Sequence, residues 1–488
     1  MTLSNLTVKA AGLFFKIPMT ALIGEEGMGY FNSAYTLFTW LYMLLAAGLP
    51  VAVSSMIARI PESGRKRGAV RVFLISQTVF SLAGILGSVL MVICAGPVSE
   101  LMQMEASRLS VIAIAPTLFF ICQSAALRGY FQGLGDLRPH SFSQVVEALG
   151  KLFVGVALAR YEIVGGADIP TAAAMACVGI TVGVAAGMLV LYLSFIFTKK
   201  GGEKTWDMPY KNVLRKLMIC AFPVTLSSSV MSLAGIIDSF VMTRSLHASG
   251  MSQSEAAAVW GNYSSLAVPM FNLPPVLTLP IAYALLPNLA SAMASGKAHK
   301  ARQLTEEALE RTLFLAVPCA VGLSAMSKPI LSLLFEDEVA ERGALLLTVL
   351  APATVLLCLA GLTNTVLQAC GRERIPLYAM LSGAFVKLSA TELLTPCIGK
   401  SATPVSTFLC YFAAVVISVF GIERIPELRG VFTLKHFLLP TAVSLISVCG
   451  AVLVYPITGT LLSVGFAAVT YFGIMCIIMK TKRRFVSP

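Results

Sequence analysis

Seven ionisable side chains stand inside long apolar runs of this sequence: Lys9, Lys16, Glu147, Lys151, Asp238, Lys387 and Glu392. At the centre of a membrane helix each would cost about 2.5–3.5 kcal/mol on insertion scales, so such groups face a bundle interior or a water-filled cavity. Lys9 and Lys16 lie two helical turns apart and share a helix face with Gly12. Near a helix end, Lys9 can also snorkel to the interface. Glu147 and Lys151 are spaced i, i+4 and can pair, as a packing contact or as part of a cavity wall. Cations such as Lys16, Lys151 and Lys387 suit an anionic head group, for example a phosphate. Asp238 suits a coupling cation, Na+ or H+, or a lysine partner; with Glu147 it could also restore neutrality, and Glu392 is a further candidate cavity charge.

Other chemistry finds little support. The 11 cysteines include no CxxC pair, and the four histidines stand far apart, so neither a metal site nor a cofactor is expected. No loop offers paired carboxylates beside a histidine, so an enzyme is not expected either. The stretch from Arg128 to Pro139 is glycine-rich and basic but lacks the Gly-Lys-Ser/Thr of a P-loop. It reads as a tight inner turn joining two helices. Prolines are the remaining signal. Pro18, Pro50, Pro274, Pro275 and Pro280 interrupt apolar runs, free backbone carbonyls and offer hinges for alternating access.

The elements that position these residues follow from composition. Hydrophobic residues make up 57% of the 488 and charged residues 12%, against about 25% charge in a soluble domain; mean hydropathy is +0.82. The solvent is therefore lipid, which permits helix bundles or closed barrels. Continuous apolar runs of about 20 residues select helices over barrel strands, which alternate. The runs fall at 3–23, 30–57, 69–95, 109–130, 140–160, 171–197, 216–243, 259–286, 309–327, 343–368, 376–396, 404–422, 434–455 and 459–480. The N-terminus lacks the basic region and cleavage site of a signal peptide. Most of the 36 basic residues fall in alternate loops, in the linker from Thr198 and in the tail, which places both termini in the cytoplasm. The net charge of +12 is then topology and contact with anionic lipid, with no need of nucleic acid.

The chain also repeats itself. Leu49-Pro50-Val51-Ala52 matches Leu279-Pro280-Ile281-Ala282, and Gln132, Gly135, Arg138 and Lys151 match Gln368, Gly371, Arg374 and Lys387 at one common offset. Span two pairs with span eight and span five with span eleven, so the repeating unit is six helices and the halves are parallel. The expected fold is an all-α polytopic membrane protein of about fourteen helices, two pseudo-symmetric six-helix lobes plus two C-terminal helices. The expected domains are an N-terminal lobe at 1–197, a cytoplasmic linker at 198–215, a C-terminal lobe at 216–425, and a final helix pair with a basic tail at 426–488.

Four segments resemble a known family: Gly24-Glu25-Glu26-Gly27-Met28-Gly29-Tyr30-Phe31, Ala47-Gly48-Leu49-Pro50-Val51-Ala52 with Ser54, Arg128-Gly129-Tyr130-Phe131-Gln132-Gly133, and Pro223-Val224-Thr225-Leu226-Ser227-Ser228. They are similar to the stage V sporulation protein B group, in the polysaccharide-transporter branch of the multidrug/oligosaccharidyl-lipid/polysaccharide exporter superfamily. The resemblance spans essentially the whole chain. It implies two lobes around a central cavity, a lipid-tail groove at the last two helices, and export of a prenyl-diphosphate-linked saccharide by alternating access, with links to cell-wall synthesis or sporulation. Related lipid II flippases carry arginines in the first, second and eighth spans. Here Lys9 and Lys16 stand for the first-span cations, and neither the second span nor the eighth carries a basic residue. The partners implied are the lipid-linked saccharide, the bilayer and the cell-wall synthesis machinery. A multidrug cation antiporter of the same superfamily is the alternative; it would favour an acid-rich cavity.

Overall fold

The computed structural model describes residues 2–58, 60, 65–198, 209–433 and 435–486. Helix carries the chain, and no strand occurs among the described residues. This is what lipid demands, because a helix satisfies its backbone polar groups within one segment. The helices are α1 (Thr2–Ala46), α2 (Leu49–Ala58), α3 (Arg65–Leu101), α4 (Arg108–Ile114), α5 (Thr117–Gly133), α6 (Arg138–Val164), α7 (Ile169–Thr198), α8 (Tyr210–Ala248) and α9 (Gln253–Asn262). They continue as α10 (Val268–Phe271), α11 (Leu273–Ala294), α12 (Ala298–Ala325), α13 (Ser327–Ser332), α14 (Asp337–Leu350), α15 (Ala353–Ala369), α16 (Arg374–Ile398), α17 (Ala402–Glu423) and α18 (Lys435–Val486).

Among the described residues nine helical stretches are long and apolar enough to cross a membrane, or ten if α14 and α15, bent by 47°, count as one broken span. Several of the nine join more than one helix, as Arg374–Glu423 joins α16 and α17, and α1 and α18 are themselves more than single rods. As unbroken helices, α1 and α18, with 45 and 52 residues, would reach about 68 and 78 Å, over twice the hydrocarbon thickness. Each breaks at a glycine, Gly24 (φ 68°, ψ −175°) and Gly459 (φ 73°, ψ 177°). That backbone conformation is essentially reserved for glycine. The breaks fall where the sequence separates the first run from the second and the thirteenth from the last.

Packing divides the chain into two compact units, Met1–Gly261 and Asn262–Pro488. The division lies later than the 198–215 linker expected from sequence, because α8 packs on α1, α2 and α3. Linker residues 199–208 lie outside the described residues. In the first unit, Phe73, Tyr130 and Phe195 interlock between α3, α5 and α7, with ring centroids 4.6–5.6 Å apart. Small residues let α6 and α7 approach closely, as membrane helices do when lipid supplies no hydrophobic drive. A Cβ built at Gly183 would stand 2.7 Å from both the Glu147 carbonyl oxygen and the Lys151 nitrogen. In the second unit, α11, α12, α15 and α17 enclose Leu309, Leu313, Leu362 and Val366. α18 joins α12 through Phe314, whose carbonyl accepts from the Tyr471 hydroxyl at 3.0 Å.

The repeat is visible in the backbone. Gly135 (φ 81°) and Gly371 (φ 70°) close equivalent turns after α5 and α15. Their amides donate to the Gln132 and Gln368 carbonyls at 3.1 and 3.0 Å, and the next amides, Asp136 and Arg372, reach back to Phe131 and Leu367 at 3.1 and 2.9 Å. These are the paired bonds of a Schellman C-cap. The glycine-rich stretch from Arg128 is thus only partly a turn, which corrects the sequence reading. Residues 128–133 complete α5, and the turn proper is confined to 134–137.

Candidate functional site

The expected pair Glu147–Lys151 is replaced by a different arrangement. Glu147 accepts from Arg128 Nη2 at 2.6 Å, with the two side chains 27% and 10% exposed. The guanidinium reaches across from α5 and offers a planar, permanently charged donor set that the lysine on the same helix cannot match. Burial holds the pair, since either charge alone in this apolar unit would lack compensation. Lys151 instead enters a box of rings. Its Nζ lies 4.6 Å from the Tyr35 centroid, 4.7 Å from Phe15 and 5.7 Å from Phe31. Phe15 comes from the arm of α1 before Gly24, and Phe31 and Tyr35 from the arm after it. A ladder of contacts, Phe31–Tyr35–Phe38–Tyr42, continues along that second arm at centroid spacings of 6.0–6.3 Å. Tyr42 lies within Coulombic range of the Arg128–Glu147 pair.

Lys16 shares this region. It is half-buried on the first arm of α1, and the Lys151 ammonium acts on it as a like charge. Two basic side chains thus share a region of the first unit, which also holds the Arg128–Glu147 pair and the half-buried carboxylates Glu25, Glu26 and Asp238. Lys9 lies in the same arm, with its side chain outside the described residues. Asp238 is half-buried in α8, beside Ser239, whose hydroxyl lies 3.4 Å from Ser33 Oγ on α1.

In the second unit Lys387 is 4% exposed on α16. Hydroxyls knit its turn: Thr391 donates to the Lys387 carbonyl at 2.8 Å and lies 2.7 Å from Ser406 Oγ on α17. Tyr263 lies 3.1 Å from Thr407 in the same layer. Glu392 is exposed. Five residues beyond Lys387, it points about 140° away around the helix, so α16 does not bring these two charges together.

The proline sites divide into two kinds. Pro18 and Pro280 lie inside helices α1 and α11. Pro50 is the second residue of α2, just after the break at Ala47–Gly48, and Pro274 and Pro275 open α11 after Asn272. Proline suits these first-turn positions because its missing N–H is an orphan there anyway. The break before α11 is reinforced by a π-turn at Tyr263–Ala267, a feature frequent at functional sites.

Sequence reasoning missed Arg128 as an intramembrane partner, reading it as a loop cation. It also missed the aromatic box, although the spacing of Phe31, Tyr35, Phe38 and Tyr42 marks one helix face. A polar belt was missed as well. Gln77 Nε2 donates to the Tyr192 hydroxyl, which donates to Gln123 Oε1 at 3.0 Å, tying α3, α7 and α5 together.

Comparison with known proteins follows the same lines. The family described as "Polysaccharide biosynthesis protein" matches residues 1–293, and MatE matches residues 223–390. Stage V sporulation protein B of Bacillus subtilis (strain 168) is 25% identical over 403 residues, covering 79% of this chain and 74% of that protein. Lipid II flippase MurJ of the same organism is 21% identical over 446 residues, covering 87% and 81%. A solved structure of lipid II flippase MurJ, in an inward closed conformation, matches with TM-score 0.77 at 14% identity over 98% of both chains. An inward-facing multidrug resistance MATE family transporter of the MOP superfamily matches with TM-score 0.72 at 18% identity, over 87% of this chain and 95% of that one. At these identities the solved structures establish the fold. The family match covers more than half of the chain, which belongs to the polysaccharide biosynthesis protein family of the multidrug/oligosaccharidyl-lipid/polysaccharide exporter superfamily.

Proposed function

We propose that this protein is a flippase that exports a prenyl-diphosphate-linked saccharide, a precursor of peptidoglycan or another envelope polysaccharide, by alternating access. The observation that carries this reading is a basic interior in the first unit, with the Lys151 ammonium held among Phe15, Phe31 and Tyr35 and Lys16 half-buried on the same arm of α1 as Phe15. A diphosphate beside such cations would be held by charge-assisted hydrogen bonds. Lys387 supplies a further cation in the second unit, and Asp238 is the residue for a coupling Na+ or H+. The interrupted spans at Pro50 and Pro274–Pro275 serve as hinges. Both termini face the cytoplasm, and the substrate comes from the cell-wall synthesis machinery. Support comes from the relatives named for lipid II flipping and stage V sporulation.

A multidrug cation antiporter is the second reading, favoured by the MatE match over residues 223–390. Depletion in the native cell separates the two. With the protein removed, the flippase reading expects one lipid-linked saccharide to accumulate on the inner leaflet. Altered drug sensitivity without such accumulation would move the assignment to the antiporter.

A further inference from the structure

The box around Lys151 has the geometry of a receptor for organic cations. Three rings stand within 6 Å of one ammonium nitrogen, the arrangement that recognises quaternary ammonium ligands. Phe15 and Phe31 are buried, whereas Tyr35 and Lys151 are half-buried, so the box has a closed back and an accessible lip. Its walls brace one another, with Phe15–Phe31 centroids 5.4 Å apart and Phe31–Tyr35 centroids 6.1 Å apart. Behind the lysine, the α7 backbone at Gly183 is seated directly against the turn from Glu147 to Lys151. The occupant of this box is therefore part of the chain itself, held in place by a rigid helix hairpin.

We infer that Lys151 is a specificity-determining residue: as the tethered occupant of the aromatic box, it denies the first unit to small quaternary ammonium cations, which the three rings would otherwise bind. The inference concerns what this unit rejects, and its test is independent of whether a lipid-linked saccharide is the cargo.

The test uses the full-length protein in lipid nanodiscs, with tetramethylammonium and n-butyltrimethylammonium as probes and saturation-transfer NMR as the readout. Lys151→Ala is expected to bind both probes at least about tenfold more tightly than the unaltered protein, an increment within the range of desolvated cation–π contacts. Lys151→Arg keeps the box filled and is expected to match the unaltered protein. Lys16→Ala removes a positive charge without emptying the box, so its gain is expected to be far smaller. Adding Phe15→Leu and Tyr35→Leu to Lys151→Ala is expected to abolish the gain. Should Lys151→Ala be unstable, a rise in its melting transition with added tetramethylammonium reads the same binding. The inference is overturned if Lys151→Ala gains neither affinity nor thermal protection. It is equally overturned if Lys16→Ala gains as much, or if the gain survives loss of the rings.

Discussion

Lys151 and Lys387 occupy equivalent places in the two repeats and live in opposite surroundings. Each lies the same number of residues beyond the arginine that opens its helix, after a turn closed by a positive-φ glycine. In the first unit the polar centre is ionic: Lys151 among aromatic rings, and Arg128 clasping Glu147. In the second, hydroxyls pair across helices, Thr391 with Ser406 and Tyr263 with Thr407, and Thr391 also donates to the backbone carbonyl of the buried Lys387. The two repeats share the backbone device and the position of the cation along its helix, while its burial and its neighbours differ. Lys151 is half-buried with three rings around its ammonium. Lys387 is 4% exposed and lies in the packed interior of its unit.

This contrast orders the effects of mutation. The largest stability loss is expected from Arg128→Ala, which strands Glu147 in the first unit and should cost about 3–5 kcal/mol. Thermal unfolding in detergent checks it, and the double change Arg128→Met with Glu147→Met should recover most of the loss. No recovery would mean that the pair does more than cancel charge. Next come the close helix contacts. A Cβ at Gly183 or at Gly383 would stand 2.7 Å from a carbonyl oxygen, that of Glu147 or of Cys410. Gly183→Ala and Gly383→Ala should each lower stability by about 1–3 kcal/mol through overpacking. Similar melting shifts for the two would show that the hairpins are mechanical equivalents, and a large disparity would break the comparison. The smallest effect is expected in the hydroxyl layer, where Thr391→Val removes one hydroxyl from a buried network and should cost about 1 kcal/mol. A loss as large as that of Arg128→Ala would put an unrecognised charge in the second unit.

The fold was legible because lipid leaves few choices. Continuous apolar runs, Gly24 and Gly459 at run boundaries, and the Gln–Gly–Arg repeat each correspond to a helix, a break or a matched turn. The site was legible only as a set of charges. The i, i+4 spacing pointed Glu147 at Lys151, yet the guanidinium on α5 takes the carboxylate, because a partner from another helix leaves no trace in local spacing. The box is hidden for a similar reason. Phe15 meets Phe31 and Tyr35 around Lys151 only after the chain turns at Gly24, and nothing in the sequence ties that turn to α6. The segment from Gly24 to Phe31 proved to be a packing device. A Cβ at Gly29 would stand 2.1 Å from the Ala257 carbonyl oxygen, and Tyr30 donates to Glu26 at 2.6 Å.

The central claim is that the first-unit cations hold an anionic head group. The most direct measurement is translocation of a fluorescent prenyl-diphosphate-linked saccharide by the purified protein in liposomes, comparing Lys16→Ala with Lys151→Ala and Lys387→Ala. At equal folded protein, the expected result is a loss of at least about tenfold for each first-unit lysine, the loss of one desolvated charge-assisted contact, with a smaller effect at Lys387. Full activity in both first-unit variants would contradict the claim.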